Sequence, residues 1–180
     1  MIKPNSNETK GGLSTLCSRC ALLSKTCCRN SDIYLTTGDV RRIAGITSRK
    51  DFFEFRTPSD PVYTDQADDP VWFTSVFRTD GSRRVMKQDK TGNCVFLEGS
   101  GCRLTMRARP LVCRLHPHLY NSKQIYASIS ADCPLSLMES DERIENLIQG
   151  FDWKKARLWH EMLYKEINQE TENHVDRSDV

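Results

Sequence analysis

The chain has 180 residues, of which 38% are apolar and 28% charged; that length builds one domain with a hydrophobic core and excludes two large ones. Its 26 Lys and Arg are nearly matched by 24 Asp and Glu, leaving a net charge of +2 without the basic excess of a nucleic-acid binder, so nucleic acid is not an expected partner. No run approaches the roughly 20 apolar residues of a membrane span, and Met1 to Lys10 lacks the apolar stretch of a secretory signal. A cytoplasmic chain without membrane contact is expected, its partner a protein or small molecule that composition leaves undefined.

In chain order, residues 1–12 carry no apolar periodicity and end in Gly11 and Gly12, which predicts a disordered lead-in. A cysteine segment follows, C-x2-C-x6-C-C, formed by Cys17, Cys20, Cys27 and Cys28. The alternation in Asp32–Leu35 predicts a short strand. Thr36 with Asp39 three residues on has the form of a capping box, opening a helix with Val40, Ile43, Ala44 and Ile46 on its apolar face that ends near residues 45–47. Ser48 with Asp51 predicts a second, short helix carrying Phe52, Phe53 and Phe55. From Pro58 to Pro70 the composition is that of a loop. Asp80-Gly81 then predicts a hairpin between extended runs at Val71–Arg78 and Ser82–Lys87.

A second hairpin is predicted from Cys94–Leu97 through Glu98–Gly101 to Cys102–Thr105, which would bring Cys94 and Cys102 together. Met106–Leu115 predicts a short helix entered through Arg109-Pro110 and presenting Cys113 inward, with Pro117 as its stop. Gln124–Ile129 reads as a strand leading to Cys133. Ser140 opens the helical C-terminal part: Ile144, Leu147, Ile148 and Phe151 form one stripe, and Trp153, Ala156, Trp159, Leu163 and Ile167 a second. Residues 168–180 read as a polar, frayed tail. The expected architecture is α+β: a small single domain over 13–167, with short antiparallel hairpins, short helices and a helical C-terminus, stapled by a cysteine metal cluster.

The eight cysteines divide evenly into the N-terminal set and a central set of Cys94, Cys102, Cys113 and Cys133. In a reducing compartment paired cysteines signify metal or redox chemistry more often than structural disulfides. A thiolate site needs sulfurs converging at about 2.3 Å on one ion, and C-x2-C aims two of them at the same point. A thioredoxin-like redox pair would need a strand before and a helix after the motif, which the flanking sequence lacks. The bland alternatives are buried structural thiols or disulfides. Thiolate ligation suits zinc and an iron–sulfur cluster alike. His116 is the reserve ligand, with His118 beside it. Arg103, Arg107, Arg109 and Arg114 form a local basic group, either a solvated face or a site for an anion near the metal. Trp153 and Trp159 read as core.

These motifs resemble the YkgJ-like cysteine-cluster family, described as a zinc- or iron-chelating domain of CxxCxxCC type. The resemblance rests on the Cys17–Cys28 run followed by Arg29, and on Ile33-Tyr-Leu-Thr-Thr-Gly-Asp39-Val-Arg-Arg-Ile43. It continues in Cys94-x-Phe-Leu, Gly101-Cys102-Arg-Leu and Arg109-Pro110-x-x-Cys113-Arg114-x-x-Pro117, spanning roughly residues 17–134. The gap between Cys20 and Cys27 is longer than in the family form. The resemblance implies zinc or an iron–sulfur cluster held by Cys17, Cys20, Cys27, Cys28, Cys94, Cys102, Cys113 and Cys133. It also raises an enzyme, since the family includes proteins similar to the flagellin lysine N-methylase, which uses S-adenosylmethionine; no glycine-rich nucleotide loop supports that here. A zinc-stapled interaction module is the other alternative.

Three structural expectations follow. Adjacent residues point apart in extended chain and by about 100° in a helix, so Cys27 and Cys28 should diverge into different sulfur groups. At least one group of three or more sulfurs should mix the two segments. Arg109 or Arg114 should bond a nearby carboxylate or carbonyl while Pro110 opens the turn that aims Cys113.

Overall fold

A computed structural model describes residues 20, 27–64, 68–99, 101–131, 133, 136 and 152–175, with the backbone alone for 171–175. Cys17, the lead-in at 1–12, the stripe beginning at Ser140 and the last five residues lie outside the described residues.

Thr36 caps α1 (Thr37–Thr47) as its spacing predicts: its hydroxyl accepts from the Asp39 N–H at 2.9 Å, and the Asp39 carboxylate accepts from the Thr36 N–H at 3.2 Å. The helix ends at Ser48, whose φ of 58° is left-handed and whose N–H returns to the Ala44 carbonyl. A residue closing one helix this way does not open another, and the expected helix at 52–55 is instead β1 (Phe53–Arg56). β1 pairs antiparallel with β2 (Arg83–Met86), register Glu54↔Val85. The aromatic run favours the pleated surface. The predicted strand near Tyr34 lies along the other edge of β2, with the Met86 N–H on the Ile33 carbonyl (2.8 Å) and the Leu35 N–H on that of Arg84 (3.1 Å).

The other correction is at Val71–Arg78, expected as a strand. Asp69 accepts from the Trp72 N–H at 3.2 Å and Pro70 supplies the first turn of α2 (Pro70–Val76). Trp72 and Val76, four residues apart, then face the core together. The Asp80-Gly81 turn is present, with Gly81 at φ 76°, but it joins α2 to β2. The central hairpin forms from β3 (Leu97–Glu98) and β4 (Gly101–Cys102). α3 is shorter than expected, covering Leu111–Leu115. β5 (His118–Tyr120), which the sequence reading missed, pairs with the expected strand β6 (Ile125–Ile129). α4 (Trp153–Val175) runs through the stretch expected to fray. The arrangement is α+β, short antiparallel pairs with short helices and a helical C-terminus.

Two apolar clusters hold these elements. Tyr34, Trp72, Val76, Leu111, Leu115, Ala156, Leu163, Tyr164 and Ile167 join α2, α3 and α4. Ile33, Leu35, Ile43, Phe52, Met86, Phe96, Leu104 and Ala108 form the second, which also takes in Cys94, Cys28, Cys102 and Cys113. Of the tryptophans expected in the core, Trp159 packs against the first cluster, while Trp153 is 37% exposed. α4 is fastened to the start of α1 by two carboxylates. Glu166 binds the Thr36 hydroxyl and both Nη atoms of Arg42 (2.5 and 2.9 Å). Glu170 binds the Thr37 N–H and the Arg84 Nη1 (3.1 Å). Both sit at a helix N-terminus, where its dipole and free N–H groups favour negative charge. A Cβ on Gly38 would overlap the Glu166 carboxylate, so glycine permits the approach.

Burial alone would raise the Glu166 carboxyl, but Arg42 and Thr36 outweigh it and hold it below its ordinary value. A depressed carboxylate contributes stability above its unfolded pKa that is lost as pH falls through the folded one. Glu166→Gln should therefore cost about 2 kcal/mol at neutral pH. In urea melts the difference from the parent chain should vanish below the ordinary glutamate range; a deficit constant with pH would contradict the charge-based anchoring.

Candidate metal centre

The two cysteine segments are joined by backbone pairing. Arg29 bridges Asn93, the Cys94 N–H donates to the Cys28 carbonyl (2.8 Å), and the Asn30 N–H to the Gly92 carbonyl (2.8 Å). Cys28 and Cys94 are thereby neighbours although 66 positions separate them in sequence. The β3–β4 pair sets Cys102 opposite Leu97 and is extended by the Arg103 N–H on the Phe96 carbonyl (2.9 Å). Within these turns the Leu97 N–H donates to the Cys94 carbonyl (2.8 Å).

Cys113 arrives on α3. Pro110 opens that helix, as expected, but offers it no side-chain cap. The cap comes from another element: Asp39 Oδ1, wholly buried, accepts the Leu111 N–H at 3.1 Å while also binding Arg42 Nη2 at 2.7 Å. The entry loop is braced by Arg114, whose Nε and Nη2 donate to the carbonyls of Arg109 (2.8 Å) and Arg107 (2.7 Å), and by the Arg109 Nε on the Leu104 carbonyl (3.1 Å). Both arginines thus take the supporting contacts expected of them. Arg103, by contrast, faces solvent opposite Glu98.

Cys28, Cys94, Cys102 and Cys113 share one electrostatic environment. Burial pushes the Cys94 thiol up to about 12, with Cys28 and Cys102 adding to it against the amide donors. Burial also drives Cys113 well up, reinforced by Cys28, Cys94, Cys102 and Asp39. Cys102 is raised by burial, with Arg109 opposing. Cys28 moves the other way: the Cys27 thiol bonds to it and, with Arg109, outweighs burial. Charge on one of these sulfurs makes ionising its neighbours costlier.

Cys27 and Cys28 do not diverge as expected. Their sulfurs are 3.9 Å apart, a separation two ligands of one ion have, because the turn at 27–28 departs from both extended and helical backbone. Nor, among the described residues, do three Cys, His, Asp or Glu side chains converge closely enough to hold an ion, against the expectation of three or more sulfurs meeting across the segments. Cys20 is buried; Cys133 is half-buried, its N–H on the Ser130 carbonyl. Cys133 is held beside the α3 exit, because the Ser130 N–H donates to the Pro117 carbonyl (2.8 Å). His118 is buried with Nδ1 3.3 Å from the Tyr126 carbonyl and its ring on Trp153, and His116 ends α3.

The family model CxxCxxCC, titled "Putative zinc- or iron-chelating domain", matches residues 16–134, and the chain belongs to that family. No curated protein and no solved structure gave a match. The match contains all eight cysteines, soft sulfur donors of the kind that suit zinc or iron. No helix among the described residues is long and apolar enough to cross a membrane.

Asp39→Ala would leave the Thr36 and Leu111 N–H groups and Arg42 without their buried acceptor. It should cost roughly 3 kcal/mol in chemical denaturation. Amide exchange should quicken in α3 as well as at the start of α1; acceleration confined to α1 would show that Asp39 does not hold α3.

Proposed function

We propose that this chain is a thiolate metal-binding protein in which Cys28, Cys94, Cys102 and Cys113 hold one zinc or iron centre. The observation that supports the reading is that the Cys94 N–H donates to the Cys28 carbonyl (2.8 Å) and that Cys28, Cys94, Cys102 and Cys113, one from the N-terminal segment and three from the central one, pack in one apolar cluster, Cys94 buried and the others half-buried. Cys17, Cys20, Cys27 and Cys133 complete the eight, the number two four-sulfur centres require. Cys27, 3.9 Å from Cys28, is placed to join either set. Zinc in such a site is structural; an iron–sulfur cluster would add one-electron chemistry. Reduced thiols of this kind suit the cytoplasm.

Purification without oxygen, followed by metal analysis and a visible spectrum, tests the reading. Zinc would copurify colourless, and an iron–sulfur cluster would give a brown protein. Cys94→Ser or Cys113→Ser should lower the bound metal. Metal-free protein with every thiol titratable would overturn the proposal.

Because the sulfurs come from three separate elements, the ion should couple to folding by an amount on the order of 10 kcal/mol. Chelation should therefore lower the melting temperature sharply and loosen the 92–115 segment in amide exchange. An unchanged melt after verified metal removal would contradict that coupling.

A further inference from the structure

Cys27 and Cys28 are neighbours in the chain, and extended or helical backbone would send their side chains apart. Here the chain turns at 27–28 and their sulfurs meet at 3.9 Å, both residues half-buried. The turn is held from the far segment. The Cys28 carbonyl accepts the Cys94 N–H (2.8 Å), Arg29 bridges Asn93, and the Asn30 N–H reaches the Gly92 carbonyl (2.8 Å), with Asn30 itself left-handed at φ 54°. The sulfur contact therefore sits on the joint between the two cysteine segments.

We propose that this pair is a redox-sensitive element that closes to a disulfide between adjacent residues and reopens on reduction. The oxidant is a small-molecule disulfide of the oxidised-glutathione kind. One sulfur of the pair, as thiolate, attacks it, forming a mixed disulfide and releasing one small thiol; the other sulfur then displaces the second. The new bond costs the pair two protons and two electrons, which leave on the two small thiols. The sulfurs close from 3.9 Å to about 2.05 Å by side-chain rotation within one turn, with no separate elements to bring together. Successive Cα atoms are about 3.8 Å apart, short of the roughly 4.4 Å at which ordinary disulfides begin, so the ring is strained and readily reduced, which suits a reversible switch rather than a staple. Closing it re-aims the Cys28 carbonyl that holds the Cys94 N–H and loosens the joint. It also withdraws both sulfurs from a bound ion; that consequence rests on the metal-binding reading above, and the bond itself does not.

Cleavage by trypsin after Lys25 and Arg29 isolates residues 26–29, which hold this pair and no other cysteine. The full chain, purified under reduction and then treated with oxidised glutathione, should yield that peptide two hydrogens lighter, resistant to alkylation and restored by dithiothreitol. Amide exchange at Cys94 should quicken on oxidation and recover on reduction. In Cys27→Ser the mixed disulfide should persist as a glutathione adduct on Cys28, because the displacing sulfur is gone. The proposal is overturned if residues 26–29 emerge cross-linked to another cysteine peptide, if the parent keeps an adduct there as the variant does, or if both thiols stay open to alkylation while other cysteines oxidise. Should Cys27→Ser not fold, the parent's own peptide decides. A chain that takes up no zinc yet closes the pair sustains this proposal and counts against the metal-binding reading. A zinc-loaded chain that sheds its ion to the oxidant with residues 26–29 still reduced overturns the proposal and leaves that reading standing.

Discussion

One buried carboxylate ties the molecule together. Asp39 closes the capping box of α1, pairs with Arg42, and caps α3 across the core in place of the side chain that Pro110 lacks. Burial raises its pKa despite Arg42, the mark of a charge kept inside for its hydrogen bonds at an electrostatic cost. Through Arg42 the same group meets Glu166, and through Glu166 the C-terminal helix. The position of Cys113, the start of α1 and the docking of α4 therefore share one acceptor.

The thiols occupy the opposite kind of environment. They lie against Phe96, Leu104 and Ile43, with no carboxylate ligand gathered around them among the described residues. Burial there raises the thiols of Cys94, Cys102 and Cys113, and charge on one sulfur raises its neighbours further. The loop leading from them into α3 is braced by Arg109 and Arg114, whose donors go to the carbonyls of Leu104, Arg107 and Arg109.

Where local chemistry settles conformation, the sequence was legible. Thr36 with Asp39, the apolar stripe of Ala156, Leu163 and Ile167, and the Cys94–Cys102 hairpin each act over a few residues and appear where expected. The two misread segments contained competing local signals. At 69–72 the Asp69 cap and Pro70 outweighed apparent alternation, and at 48–55 the left-handed Ser48 closed a helix where serine had suggested an opening. Glu170, expected in a frayed tail, is ordered because α1 and Arg84 offer it partners far away in sequence.

The sequence by itself determined the kind of chemistry on offer: eight soft sulfurs in two sets, a short α+β domain around them, and the family to which they belong. Ligand type and spacing are local properties, and so are turns and caps. Only the tertiary structure decided that Cys28 pairs through the backbone with Cys94, that Cys27 turns its sulfur toward Cys28, and that Asp39 caps the helix carrying Cys113. Those relations depend on strand pairing between residues 28–30 and 92–94 and on the seating of α3 over α1. Such contacts are selected by the burial of the whole core, a global sum that no short stretch of sequence contains.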